Sequence, residues 1–246
     1  MSIDNKIRIR MLNHSYFAVE AHPAQENELR EYFSFFVPGY KFMPAFKSRH
    51  WDGKVKLYNM VTKQMNVGLY QQLRRFCADR FYQLEILEHE YYGVPSFKDD
   101  IDHPALIDFI TTLDAPFKPR DYQYKAIAHG VENQRCILLS PTGSGKSFII
   151  YNLLRYCYEV TEGKILVIVP TTSLVEQMYK DFADYGYDVD EFCHKIYSGK
   201  EKVTDKRVII STWQSIYKLP KVWFKQFGTI VGDEAHLFKA VSLTKI

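Results

Sequence analysis

At 246 residues, with 46% apolar and 25% charged residues, the chain has room for two domains with buried cores and the make-up of an ordinary globular protein. No apolar run is long enough to cross a bilayer and no secretory signal pattern opens at Met1. The four cysteines (Cys77, Cys136, Cys157, Cys193) lack paired metal-ligand spacing, so the expected setting is a reducing cytoplasm. A net charge of +3 says little by itself; its distribution says more.

Ile7, Ile9 and Met11 alternate with Lys6, Arg8 and Arg10, which predicts a half-buried strand, and residues 16–20 supply a second across an Asn13-His14 turn. Residues 24–36 put Leu29, Tyr32, Phe33 and Phe36 on one face and predict a helix ended by Pro38-Gly39. Residues 41–59 then hold Lys41, Lys47, Arg49, His50, Trp51, Lys54 and Lys56 against a single acid, Asp52. Val55, Leu57 and Tyr58 predict a strand there, after a Trp51-Asp52-Gly53 turn. A further helix is predicted over about 69–80, with Arg74, Arg75 and Arg80 beside Leu73 and Phe76.

Residues 1–82 carry 13 Lys/Arg and 7 Asp/Glu, a net of +6, whereas residues 83–114 carry one Lys and 8 Asp/Glu, a net of −7. A basic lobe interleaved with aromatics suits contact with a phosphate backbone through Lys47, Arg49, Lys54 and Lys56; the competing reading is a solvated charged face. Trp51 either stacks on bases or closes its own turn as a core residue. A helical pattern over 103–113 leads into Pro116 and Pro119, where a domain border is expected near residue 115.

The second half alternates apolar strands (165–169, 208–210, 229–231) with helical patterns such as 172–183, the signature of a parallel sheet covered on both faces. At its head lies Ser140-Pro141-Thr142-Gly143-Ser144-Gly145-Lys146-Ser147, after an apolar run (Cys136–Leu139) expected to be a strand and before a helical pattern from Phe148. Strand, glycine loop and helix together turn backbone N–H groups and a positive helix end toward phosphates. In such a cradle Thr142, Gly143, Ser144 and Gly145 wrap the phosphates, Lys146 reaches the β/γ-phosphates and the Ser147 hydroxyl ligates Mg²⁺. Ser140 replaces the usual first glycine. Asp233-Glu234 follows the last apolar strand, placing one carboxylate to hold Mg²⁺ and a neighbour to take the proton of an attacking water.

These segments, in this order, resemble the superfamily 2 helicases of the DEAH/DExH type. Asp233-Glu234-Ala235-His236 is similar to that family's DEAH box, and Pro170 to Gln177 to its motif Ia. Ile210 to Ser215 is similar to motif Ic, and Arg120-Asp121-Tyr122-Gln123 to the glutamine-containing adenine motif. The resemblance implies that Gln123 reads adenine, Asp233 holds the metal and Glu234 is the catalytic base. It makes His236 the link between hydrolysis and movement, with Thr171, Ser211 and Thr212 touching the nucleic-acid backbone. It implies a RecA-like α/β motor domain (116–246) preceded by a small α+β nucleic-acid-binding domain (1–115), with ATP and Mg²⁺ as cofactors.

The whole chain, including the basic stretch from Lys47 to Lys54, resembles a branch of that family found in T-even bacteriophages. That implies a monomeric DNA helicase acting on duplex, forked or branched DNA and RNA–DNA hybrids in recombination, repair and replication control. The family's second motor domain, with its arginine finger, is absent from these residues. The chain stops ten residues after His236 in an unfinished helical pattern, so an N-terminal portion with little ATPase and no unwinding of its own is expected. A duplex translocase without strand separation and a nucleotide-gated DNA-binding module are the alternatives; a small-molecule kinase has no need of motifs Ia and Ic.

Overall fold

Ile7, Ile9 and Met11 are buried along β1 (Lys6–Met11), while Lys6, Arg8 and Arg10 stay partly or fully exposed, as strand alternation requires. The computed structural model describes residues 5–95, 101–133 and 135–237, which fall into two units, Met1–Ser96 and Phe97–Ile246.

In the first unit β2 (Tyr16–Glu20) runs antiparallel to β1, with Ile9 opposite Val19 and Met11 opposite Phe17. Helix α1 (Pro23–Tyr32) is followed by β3 (Ser34–Phe36), the one-turn α2 (Pro44–Lys47), β4 (Lys54–Lys56), β5 (Tyr58–Asn59) and β6 (Gln64–Asn66). Helix α3 (Tyr70–Asp79) and β7 (Gln83–Leu87) complete the unit. The main sheet has the order β5-β6-β2-β1-β7, antiparallel except for the parallel β1–β7 pair. Leu29 of α1 and Leu73, Phe76 and Cys77 of α3 are buried together with Phe17, Val19 and Met65 of the strands.

The helix expected over 24–36 stops at Tyr32. Residues 34–36 pair with β4 instead, Ser34 opposite Lys56, Phe35 opposite Val55 and Phe36 opposite Lys54. Phe36 is 51% exposed, so a longer helix had no core to bury it against. The facing strand supplies hydrogen bonds and an aromatic–β-branched pair that the isolated helical pattern does not encode.

The second unit opens with α4 (His103–Thr112), α5 (Asp121–Asn133) and α6 (Lys146–Val160), then β8 (Lys164–Val169), α7 (Thr172–Asp184), the short α8 (Val189–Phe192) and β9 (Cys193–Ile196). It continues through β10 (Val208–Thr212), the single turns α9 (Trp213–Ile216) and α10 (Lys221–Phe224), and β11 (Phe227–Gly232). Its sheet has the order β11-β8-β10-β9 and every pair is parallel. Period-two alternation sends Ile165, Val167, Val169, Val208 and Ile210 toward α6 and α7, and Leu166, Ile168 and Ile209 toward Ile216, Trp213 and Trp223. Each such side chain withdrawn from water contributes about 1.5–3 kcal/mol before ordering costs.

Two expectations change here. The units divide at Ser96, ahead of the border expected near 115. Helix α4 lies with the second unit, because Leu106 is buried beside Ile127, Val131 and Ile149, and Leu113 joins the core of α6 and α7. The run Cys136–Leu139 is not a strand: Ile137 and Leu139 are 74% and 94% exposed, and β11 pairs only with β8. An apolar run becomes a strand only where neighbouring backbone groups complete its hydrogen bonds, and among the described residues none does so here. The helical pattern expected after Leu237 lies outside the described residues. No helix among them is long and apolar enough to cross a membrane.

Candidate functional site

Parallel pairing brings the carboxyl ends of β8, β10 and β11 to one edge, where Thr171 and Asp233 follow β8 and β11 and Thr212 ends β10. The Asp233 N–H donates to Ile168 O at 2.9 Å, which holds the acidic turn against β8. Gly143 (φ 79) and Gly145 (φ 76) take left-handed backbone conformations, and α6 begins at Lys146 with no side-chain cap on Gly145. The first amides of α6 therefore have no intrahelical acceptor and face the loop, an arrangement that suits phosphate oxygens.

The loop is braced from α5. Gln123 is buried, donates from Nε2 to Ser144 O at 3.0 Å, and accepts the Arg120 N–H at Oε1 over 2.9 Å. The Tyr122 hydroxyl donates to the same Ser144 carbonyl at 3.0 Å. A Cβ on Gly145 would lie 2.5 Å from Gln123 Nε2, so the glycine is what lets the amide close on the loop. Ser140, in place of the usual first glycine, shares a hydroxyl–hydroxyl hydrogen bond with Ser144, whose Oγ also contacts Pro141 O at 2.7 Å. A hollow beside the loop is lined by Phe117, Arg120 and Gln123 together with Gly143, Ser144 and Gly145; Thr142 is exposed on the loop's outer turn.

Lys146 Nζ donates to Glu234 Oε1 at 2.8 Å, and His236 Nδ1 lies 3.2 Å from Glu234 Oε2. Glu234 itself sits at φ 54, a left-handed conformation that costs a non-glycine residue about 1 kcal/mol or more and clusters at functional sites. The Lys146 ammonium holds the Glu234 carboxyl below the usual glutamate value, while Glu234 raises Lys146. Burial pushes Asp233 up, although its Oδ1 accepts the Glu234 N–H at 3.0 Å. The Ser147 hydroxyl meets Tyr185 OH at 2.8 Å. One hydroxyl and one half-buried carboxylate, with no cluster of three metal-binding side chains among the described residues, fit Mg²⁺, which takes few protein ligands and fills its sphere with phosphate oxygens and water.

The residues expected at nucleic acid are differently placed. Thr171 is the N-cap of α7, its side chain accepting the Leu174 N–H at 3.3 Å. Ser211 and Thr212 are buried rather than presented: Ser211 Oγ donates to Ile196 O at 2.9 Å and Thr212 Oγ1 pairs with Ser215 Oγ at 2.8 Å. Burial in β10 leaves these hydroxyls to satisfy the neighbouring strand β9 and the turn that follows β10.

In the first unit Lys41, Lys47, Arg49, His50, Trp51 and Lys56 border an open concavity of about 700 Å³. Lys56 is ion-paired with Asp52, and that contact lowers the Asp52 carboxyl. Lys54 Nζ lies 5.1 Å from the Phe36 ring centroid. Trp51 Nε1 donates to Lys54 O at 2.8 Å, so the indole closes its turn. Three residues escaped sequence reasoning: Tyr185, Phe117 and Tyr122 reach the phosphate loop through tertiary packing. Only Tyr122 carried any signal, as the neighbour of Gln123.

Two family models match this chain. Residues 116–246 match "Type III restriction enzyme, res subunit", and residues 6–87 match "DNA helicase UvsW, N-terminal". The ATP-dependent DNA helicase UvsW of Enterobacteria phage T4 is 35% identical over 244 residues, covering 98% of this chain and 48% of that protein. A DNA 3'-5' translocase, XPB2 of Sulfurisphaera tokodaii, is 22% identical over 83% of this chain and 39% of its own length. The chain thus spans about half or less of these relatives. A crystal structure of the T4 UvsW helicase superposes with a TM-score of 0.78 at 34% identity, covering 98% of this chain and 86% of that one. Its parallel sheet is accordingly the RecA-like motor fold that the motifs imply. The chain belongs to the superfamily 2 helicases of the UvsW type.

Proposed function

We propose that this chain is the nucleotide-binding half of an ATP-dependent DNA helicase that unwinds or branch-migrates branched DNA and RNA–DNA loops in recombination, repair and replication control. The observation that carries the reading is the Lys146–Glu234 contact. It ties the phosphate loop to the acidic turn at the ends of β8 and β11, where a γ-phosphate and an attacking water would meet. In this reading Lys146 and the loop amides bind phosphates, Ser147 and Asp233 hold Mg²⁺, and Glu234 takes the water's proton once Lys146 turns to the nucleotide. Bound Mg²⁺ neutralises charge on the transferring phosphoryl group. His236, against the far oxygen of Glu234, is placed to report the state of that carboxylate. Gln123 has its amide committed to the loop, so its effect on adenine recognition comes through the shape of the adjoining hollow. The protein works as a monomer in the cytoplasm, and the first unit contacts DNA phosphates through Lys47 and Arg49.

The test is DNA-stimulated ATP hydrolysis and fork unwinding by a full-length protein carrying these residues. Glu234→Gln should reduce turnover by several powers of ten while leaving nucleotide binding in place, and residues 1–246 alone should bind Mg·ATP with slow turnover. Turnover unaffected by Glu234→Gln would sink the reading. Triplex displacement without fork unwinding would move the activity to duplex translocation.

A further inference from the structure

The hydroxyl pair Ser147–Tyr185 has no counterpart in the motif spacing. Tyr185 caps the end of α7, 38 residues after Ser147, and its ring is held on three sides. Ring centroids lie 5.0 Å away at Phe148, 5.3 Å at Tyr151 and 5.6 Å at Phe117. Packing of this kind leaves the phenol little freedom, so its oxygen is delivered to Ser147 by the core. Phe117 also borders the hollow at Gln123 and Gly145, so one aromatic group adjoins both sides of the phosphate loop.

A serine hydroxyl has one proton and two lone pairs. To ligate a cation it must turn its lone pairs to the metal and give its proton to some other acceptor. We propose that Tyr185 is a positioning residue for the metal ligand Ser147, its phenolic oxygen accepting the Ser147 proton so that the Ser147 lone pairs face Mg²⁺. This rests on the nucleotide-site reading above. In this role Tyr185 acts through Ser147 and is not itself a ligand of the metal.

The experiment is a Mg²⁺ titration of residues 1–246 with a fluorescent, non-hydrolysable ATP analogue, reading the Mg²⁺ midpoint of binding. Tyr185→Phe keeps every ring contact and should stay within about 2 °C of the parent in thermal unfolding. It should raise the Mg²⁺ midpoint about five- to tenfold, the cost of one lost outer-sphere hydrogen bond. In a Ser147→Ala background the same change should add less than twofold, because the coupling runs through Ser147. A midpoint within twofold of the parent, or a lower one, overturns the proposal, as does an undiminished effect in the Ser147→Ala background. If Lys146→Ala abolishes analogue binding while Tyr185→Phe leaves the midpoint unmoved, only this inference falls. If the parent binds no analogue at any Mg²⁺ concentration, the nucleotide-site reading falls and takes this one with it.

Discussion

Lys146 and Glu234, 88 residues apart, meet at 2.8 Å with about a third of each side chain exposed. Solvent screening limits such a pair to roughly 0–1 kcal/mol of stability. Glu234 has a lowered pKa, so its share is present above the unfolded-state value near 4.5 and is lost as the pH falls through the lower folded value. Lys146, being raised, keeps its share until the pH climbs past the usual lysine value of 10.5. Urea unfolding of the parent and Glu234→Gln should therefore differ by under about 1 kcal/mol at pH 7 and converge below pH 4. A difference that persists at pH 3 would mean the contact acts by packing.

Asp233→Asn should separate stability from function. Burial raises the Asp233 carboxyl more than the Glu234 N–H and the nearby Lys146 charge lower it, so at neutral pH its charge is a partly compensated cost until a cation arrives. The amide still accepts the Glu234 N–H through Oδ1. Without nucleotide the variant should unfold at the same or a slightly higher denaturant midpoint, with a gain of up to about 1 kcal/mol, and should lose Mg²⁺-dependent nucleotide binding. A clear loss of stability would contradict the cost assigned to that charge.

Gly145→Ala meets two obstacles: φ is 76, and the new Cβ would fall 2.5 Å from Gln123 Nε2. The expected cost is about 1–3 kcal/mol in chemical denaturation, together with loss of nucleotide binding as Gln123 is pushed from Ser144 O. Gln123→Ala in the same background should recover part of the stability and none of the binding. No recovery would place the strain in the backbone alone.

Ser211→Ala should act on stability before it acts on DNA. Its hydroxyl is fully buried and bonded to Ile196 O, and removal leaves that carbonyl one partner short. About 1–3 kcal/mol should be lost in unfolding, with DNA affinity unchanged at temperatures where the variant is folded. Weaker DNA binding at full foldedness would restore a direct contact.

Within the basic lobe the charges are not equivalent. Lys56 is answered by Asp52, whereas Lys47 and Arg49 have no ion-pair partner among the described residues. Replacing Lys47 and Arg49 by Gln should flatten the log–log salt dependence of DNA binding by roughly 2 units, about 0.9 per phosphate contact. The charge-neutral pair Asp52→Asn with Lys56→Gln should leave the slope nearly unchanged. Equal slopes for parent and Lys47/Arg49 variant would return the lobe to a solvated face.

Much of this was written locally. The continuous apolar runs at 165–169 and 208–210 became β8 and β10 because a strand covered on both faces must be apolar throughout, whereas 229–231 became β11, an edge strand whose positions alternate between half-buried and exposed. Alternation at 6–11, the helical patterns at 103–113 and 172–183, and the glycine loop were equally legible, since each follows from a period or a φ angle that neighbouring residues set. Ser34–Phe36 and Cys136–Leu139 were not: aromatic and apolar runs serve helix, strand or neither, and the choice lies with a partner backbone far along the chain.

The sequence by itself therefore determined the motor's motifs and order, because phosphate and metal chemistry demands particular residues at short, fixed spacing. Only the tertiary structure decided that Gln123 braces the loop, that Ser211 is buried, that Lys146 meets Glu234 and that Tyr185 reaches Ser147. Those contacts join residues 15 to 88 positions apart through side-chain packing, and packing has no period to be read along a chain.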